Sequence, residues 1–432
     1  GIKKLLPGHY LSYLSYENSL KIKRYWDVEF NLSEFNSFSE CIERFREIFK
    51  NAVKRHLISD VPLGCYLSGG FDSTSVSTIA SQLINSRLET FTGTFDEGPR
   101  YTEIPCSRTV ASGINAKIHE VVIRAEEFID NIYNIVYHLD EPTIGTGPFP
   151  QYLVSKLVSE HVKVVLTGHG GDELFCGYEV FKASYYKDLI KKNPLNILKF
   201  LTSVKANELA RIMYFLFYPF FQRAVQYGLF IMFDKNERKR LFTNEFYSQM
   251  KDYDSLGTIR KILNGKKLNR VERSNYLYLK TYLPTLFILE DKVGMAHSIE
   301  ARTPICDNEL VDFALSLPVK YKLYNNELKA IVKEGMREKL PLILYEQPKK
   351  GFPTPFAIWF RKQLKQFAYD ILLGEITRRR GVFNMRYIKE LLDRHCNLKT
   401  NTLYDYTRAN KIFSLLTIEL WFRIFIDRDM KY

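Results

Sequence analysis

Residues 61–167 alternate between two hydrophobic periods, and this alternation limits the possible folds more than any other feature of the chain. Short apolar runs at 61–67, 89–95, 117–123 and 162–167 read as buried strands, with helical spacing between them at 74–84, 103–112, 125–138 and 149–160. Strand and helix repeated in this order fold as a parallel sheet with right-handed crossovers. The predicted fold class is therefore α/β: a doubly wound, mostly parallel sheet, followed by a mainly α-helical C-terminal region. Ligands of such sheets bind beyond the carboxyl ends of the strands, so the loops after residues 67 and 167 should share one edge.

The flanking segments follow from the same patterns. Two strand-like pieces, 9–14 and 20–28, surround a polar turn and predict a lead-in hairpin. Between 38 and 58, Cys41, Phe45, Ile48, Phe49, Ala52 and Val53 recur at helical spacing and predict an amphipathic helix feeding the first core strand. After Tyr178 strand signals become rare. A chain of 432 residues exceeds what one core usually supports, and it divides into residues 1–35, an α/β unit at 36–180, and a helical extension at 181–432.

The first strand-end loop, residues 67–73, reads Leu-Ser-Gly-Gly-Phe-Asp-Ser. Two glycines permit a sharp turn that aims several N–H groups one way, and a helix start adds partial positive charge, so the expected guest is a phosphate. The loop has neither the Lys-Ser/Thr ending of a Walker A sequence nor a Gly-x-Gly-x-x-Gly pattern. Asp72 points to a metal ion in place of a lysine. An ordinary βα turn uses the same small residues, and on this stretch alone the two readings weigh about equally. The second loop reads Thr-Gly-His-Gly-Gly-Asp-Glu-Leu from Thr167 to Leu174. Asp172 and Asp72 could hold one Mg²⁺ completed by substrate phosphates, whereas helix capping is the structural alternative for Asp172.

Charge and cysteine usage narrow the partners. The chain carries 62 basic and 49 acidic residues, net +13, with basic clusters at 187–192, 260–273 and 378–380. A nucleic-acid surface is weighed against solvated helix faces, and the latter reading is preferred because no RNA-binding motif accompanies the clusters. Six scattered cysteines without a Cys-x-x-Cys pair indicate neither zinc nor a disulfide framework and fit a reducing cytoplasm. The greasy stretch 212–233 is interrupted by Pro219, Gln222, Arg223 and Gln226, so it reads as core or lid and not as a membrane span. Farther on, Asp291, Lys292, Glu300 and Arg302 crowd one segment, as a buried ion network or a solvated face. A lysine pair, Lys349 and Lys350, sits in a Pro/Gly-rich loop that could fix an ammonium in place.

With these pieces in order, the chain resembles the synthetase domain of the glutamine-dependent asparagine synthetases, a branch of the pyrophosphatase-loop ATP enzymes with an adenine nucleotide alpha-hydrolase-like fold. The resemblance runs nearly end to end. It rests on the 68–73 loop, Thr92 to Phe95 with Glu103, His119, Asp140-Glu-Pro, the segment from Gly168 to Tyr178, Met-Ala-His-Ser-Ile-Glu-Ala-Arg ending at Arg302, and Lys349-Lys-Gly-Phe. It implies that ATP adenylates the side-chain carboxylate of L-aspartate, releasing pyrophosphate, and that ammonia then displaces AMP to give asparagine. Carried over by position, Ser68, Gly69, Gly70 and Ser73 bind phosphate, Asp72 and Asp172 hold Mg²⁺, Gly168 lines the nucleotide pocket, and Lys349 stabilises charge on the transferring groups.

Two departures stand out. His169 occupies a position that is acidic in the best-known members and is associated there with deprotonating the attacking ammonium; an imidazole can do the same work. The sequence has no counterpart of the glutaminase domain of full-length relatives, and residues 1–10 resemble the segment that follows it, so the resemblance implies either a fragment or an ammonia-dependent half, with a glutaminase domain or subunit expected as partner. A homodimer is compatible with the family. Other expected acceptors are uronic acids and lactam precursors, and the rivals are a tRNA-modifying adenylating enzyme and an inactive nucleotide-binding scaffold.

Overall fold

In the computed structural model, the structure describes residues 3–143, 145–197, 209, 212–213, 215, 232–346, 354–397 and 403–428. The expected hairpin forms from β1 (His9–Leu14) and β2 (Ser19–Arg24), paired antiparallel. Helix α1 (Phe38–His56) starts where Ser37 Oγ accepts the Glu40 N–H at 3.1 Å, and it buries Cys41, Phe45, Phe49, Ala52 and Val53 on one face.

The α/β unit then runs β3 (Leu63–Tyr66), α2 (Phe71–Leu83), β4 (Glu89–Thr94), α3 (Ile104–Gly113), β5 (Lys117–Val122), α4 (Ala125–Leu139), α5 (Pro148–Ser159) and β6 (Val164–Leu166). These bounds follow the predicted alternation closely. The largest difference is at α2, which opens three residues before the expected Thr74 and so takes Asp72 into its first turn.

The sheet is parallel throughout in the order β5-β4-β3-β6-β7, where β7 is Glu300–Arg302. The chain enters at the middle strand, builds outward through β4 and β5, then returns to add β6 on the other side of β3. That reversal is a topological switch point between β3 and β6, where the flanking loops diverge and leave a crevice. The fifth strand is contributed from far along the chain, within the helical region.

Helices cover both faces. On one side Phe128 of α4 and Phe149 of α5 meet Phe356, Trp359 and Phe413 of the C-terminal helices, with Phe128 and Phe356 ring centroids 5.0 Å apart. On the other, α1 packs so closely on the helix Ala330–Gly335 that a Cβ at Gly335 would lie 2.5 Å from the Phe45 ring. Burial of each such ring contributes roughly 1.5–3 kcal/mol, and these contacts fasten the helical half to the sheet. The long C-terminal helix Leu403–Trp421 adds Ile412, Phe413, Leu415, Leu416 and Leu420 to the core.

The charged segment before β7 does not make one buried network. Lys292 pairs with Asp140, while Arg302 pairs with Glu300 at 2.6 Å and donates to the carbonyls of His56 and Ile58. Glu300 is 60% exposed, so the network reading is corrected: Arg302 pairs with Glu300 beside it at the sheet edge, where water reaches them, and Lys292 reaches instead the exposed Asp140 of another element. The stretch 212–233 lies largely outside the described residues; Ile212 and Phe215 within it are buried. Among the described residues no helix is long and apolar enough to cross a membrane.

Candidate active site

Residues 67–70 make the turn between β3 and α2. Gly69 has φ +81°, a left-handed conformation that favours glycine. The turn closes on itself: Ser68 Oγ and Ser73 Oγ are 2.9 Å apart, Gly70 N–H donates to Ser68 Oγ, and the Ser73 hydroxyl donates to the Gly70 carbonyl at 3.2 Å. No side chain caps the start of α2, so its first N–H groups keep their partial positive charge for an anion.

The loop after β6 reaches this turn through Gly168. A Cβ there would lie 2.5 Å from the Ser73 nitrogen and 2.8 Å from the Asp72 carbonyl carbon, so only glycine lets the two loops touch. Asp172 follows in the short helix α6 (Gly171–Leu174). Behind it, the buried Glu173 accepts from the Tyr178 hydroxyl, and the Asn275 side chain donates to the Glu173 carbonyl. Burial first, and then the charge of Asp172, raise the Glu173 carboxyl above its ordinary range.

Lys329 joins the two aspartates. Its Nζ is 2.5 Å from Asp72 Oδ2 and 2.7 Å from Asp172 Oδ1, and the residue is 7% exposed. Burial opposes its charge, but Asp172 and Asp72 more than offset that and raise the ammonium above its ordinary value. Its backbone lies at φ +55°, a strained conformation for a side chain of this size.

One cavity of about 610 Å³ collects these groups. Ser68, Gly69, Gly70, Asp72 and Ser73 line it from the first loop, and Gly168, His169 and Asp172 from the second. A different wall comes from the helix Leu283–Met295, which turns Leu286, Leu289, Glu290 and Val293 inward. That i, i+3, i+4, i+7 spacing is one helix face. His169 Nδ1 lies 2.6 Å from Glu290 Oε2, with the Glu290 side chain 4% exposed and that of His169 36% exposed. Burial on its own would lower the imidazole; the Glu290 charge and hydrogen bond outweigh it and lift His169 to about 9.

A family model for asparagine synthase matches residues 44–423. The chain belongs to the asparagine synthase family. It is similar to asparagine synthetase [glutamine-hydrolyzing] 1 of Bacillus subtilis, at 24% identity over 99% of this chain and 66% of the relative, and to a putative asparagine synthetase of Mycobacterium bovis, at 26% over 100% and 65%. It also resembles amidase chry2 of Gibberella zeae, at 26% identity over 83% of this chain and 59% of that protein. The chain thus spans just under two thirds of the length of the first two relatives.

Within this family fold, eight of the nine site residues read from the sequence meet at one cavity; the ninth, Lys349, lies outside the described residues. Two residues escaped the sequence reading. Lys329 gave one signal, a lysine at a helix start, where the macrodipole disfavours a cation. Glu290 gave another, an acid inside an otherwise apolar helical stripe. Among the described residues no group of three or more His, Cys, Asp or Glu side chains forms a metal cage. Two hard carboxylates that converge on one ammonium nevertheless suit Mg²⁺, which takes few protein ligands and completes its shell with phosphates and water.

Proposed function

We propose that this chain forms amides at the expense of ATP. A carboxylate acceptor, with the side chain of L-aspartate as the first candidate, is adenylated with release of pyrophosphate, and ammonia then displaces AMP to give asparagine. In the complete protein the ammonia comes from glutamine through a glutaminase domain or subunit. The observation that supports this reading most is the convergence of the 68–73 loop, Asp72, Asp172 and Lys329 on one cavity in a chain of this family.

The loop N–H groups and the Ser68 and Ser73 hydroxyls would hold the departing pyrophosphate, and Gly168 would let the nucleotide lie against α2. Asp72 and Asp172 would carry Mg²⁺, which when bound neutralises phosphate charge. Lys329 would follow the phosphates as they enter, exchanging carboxylate partners for phosphate oxygens. His169 would act in the amide-forming step, and Lys349 is assigned by resemblance to the charge that develops on the transferring groups. Six free cysteines fit a cytoplasmic setting.

A second reading keeps the chemistry and changes the acceptor. Leu286, Leu289, Val293, Pro148, Pro150 and Val154 make part of the cavity wall apolar, which favours a carboxylate on a more apolar body, and the similarity to a protein named an amidase is in keeping with it. An ATP–pyrophosphate exchange screen over candidate carboxylates, with MgCl₂ and with ammonium chloride supplied for turnover, decides between them. Exchange that depends on a carboxylate, with AMP as product, supports adenylation; ADP as the main product would contradict it.

A further inference from the structure

The cavity has two sides with different supports. One is the 68–73 loop on α2, closed on itself by the Ser68 and Ser73 hydroxyls, where the nucleotide phosphates are placed above. The other is a wall built by Gly147 with the first turns of α5, through Pro148, Pro150 and Gln151, and by the inward face of the helix Leu283–Met295. His169, paired with Glu290 of that helix, borders this wall. On the amide-forming reading above, an acceptor whose carbonyl meets ammonia beside His169 lies against the wall, and its placement rests on that reading.

The wall is fixed from the far end of the chain. The link between α4 and α5 opens at Asp140, whose backbone is left-handed at φ +60°. Trp421 Nε1–H donates to the Asp140 carbonyl at 2.7 Å, and the Thr417 hydroxyl donates to the Thr143 carbonyl at 2.6 Å. The Tyr137 ring, in the last turn of α4, stacks on Phe425 with centroids 6.1 Å apart. Thr417 is fully buried, and a threonine inside a helix ordinarily bonds only its own preceding turn. Here the in-helix Ser414 carbonyl is 3.0 Å away, and the shorter contact is to Thr143, across 274 residues of chain. Lys292 of the helix Leu283–Met295 also pairs with Asp140, but that carboxylate is 64% exposed and water screens the pair. The C-terminal helix therefore carries the hold.

We propose that Thr417 and Trp421 are positioning residues for the carboxylate acceptor. By holding Asp140 and Thr143 they set how far the start of α5 stands from the helix Leu283–Met295, and with it the width of the acceptor subsite. Neither side chain lines the cavity, so both act through the link they hold. A displacement of about 1 Å produced far from the chemistry can lower a rate by about 10²-fold. The 68–73 loop has its own internal hydrogen bonds, so the loss falls on the acceptor and spares ATP.

The test measures pyrophosphate exchange with MgCl₂, varying ATP and the carboxylate separately, the latter being L-aspartate or the acid selected by the exchange screen. It compares wild type with Thr417→Val, Trp421→Phe, the two combined, and Thr417→Ser. Each single loss of a hydrogen bond should raise KM for the carboxylate roughly threefold, and the double variant roughly tenfold, with KM for ATP unchanged. Thr417→Ser keeps the hydroxyl and should match wild type. A merely structural role would lower Tm without separating the two KM values. Equal rises in both KM values, or a double variant with wild-type KM for the carboxylate, would overturn the assignment of Thr417 and Trp421. Wild-type protein without carboxylate-dependent exchange would overturn the amide-forming reading itself, and the acceptor subsite with it.

Discussion

Two lysine–carboxylate clusters in this molecule use the same chemistry for different ends. Asp27, 4% exposed in its side chain, receives Lys266 at 2.8 Å, Lys280 at 3.1 Å and the Tyr276 hydroxyl at 3.0 Å, with Arg24 also at 3.0 Å. At the cavity the stoichiometry among described residues is reversed, with one ammonium, Lys329, between two carboxylates. The Asp27 cluster straps the segment after the hairpin to the helical region, and every partner comes from neighbouring protein. The Lys329 cluster lines the cavity beside the 68–73 loop and holds its lysine in a strained backbone conformation. An excess of donors around one acid makes a finished strap; two acids sharing one cation at a cavity make a place where charge can be exchanged.

The largest effects should come from breaking the cavity cluster. Asp72→Asn or Asp172→Asn removes one of the two carboxylates on which Mg²⁺ would sit, and exchange should fall about 10³-fold, within the range for losing one electrostatic stabiliser. Lys329→Met should cost about 10²-fold in exchange. It should also change the thermal response: with the ammonium gone, Mg²⁺ alone should raise Tm in this variant more than in wild type, measured by calorimetry. If Mg²⁺ leaves the Tm of both proteins unchanged, the two aspartates are not a metal site, and the contrast with Asp27 loses its functional side.

How much of this was legible beforehand follows from the range of each interaction. The α/β alternation, the hairpin and α1 are local patterns of period 2 or 3.6, and they appear where expected. The strand-end loops were readable because glycine and aspartate at such turns are local signals too. Lys329 and Glu290 meet their partners across 257 and 121 residues of chain, and nothing in their immediate neighbours names Asp72 or His169. The charged segment 288–307 drew attention to Asp291, Lys292, Glu300 and Arg302 by density, yet Glu290 beside them is the one that reaches the cavity. Its helical phase, shared with Leu286 and Val293, distinguishes it, and phase is interpretable only once the facing wall is known.

A smaller, spectroscopic effect checks the His169–Glu290 pair. Because the folded-state value is raised to about 9, histidine ¹⁵N NMR of the wild type should show this ring as imidazolium through neutral pH. Glu290→Gln should return the titration to the ordinary value of about 6.5 or below, since burial then acts with less opposition from Glu173 and Asp72 alone. The sign for stability follows: the contribution is fully present below about 6.5 and is lost as pH rises through about 9. A ring that titrates identically in both proteins would show that the contact does not hold in solution.

The smallest effect on catalysis should come from the strap. Asp27→Asn leaves the cavity untouched, so the rates of both half-reactions should change little, while unfolding free energy should fall by about 3 kcal/mol, as expected when one partner of a buried ion pair is neutralised. Burial on its own would raise the Asp27 carboxyl, but hydrogen bonds from Lys266, Lys280 and Tyr276 hold it well below the usual range. A depressed value places the stabilising contribution above the ordinary aspartate pKa of about 3.9. The stability gap between wild type and variant should therefore stay constant from pH 7 to about pH 5 and shrink as pH falls below about 4, measured by urea unfolding at each pH. A variant that keeps its stability but loses exchange activity would place Asp27 in the catalytic machinery and dissolve the distinction between a completed cluster and an exchangeable one.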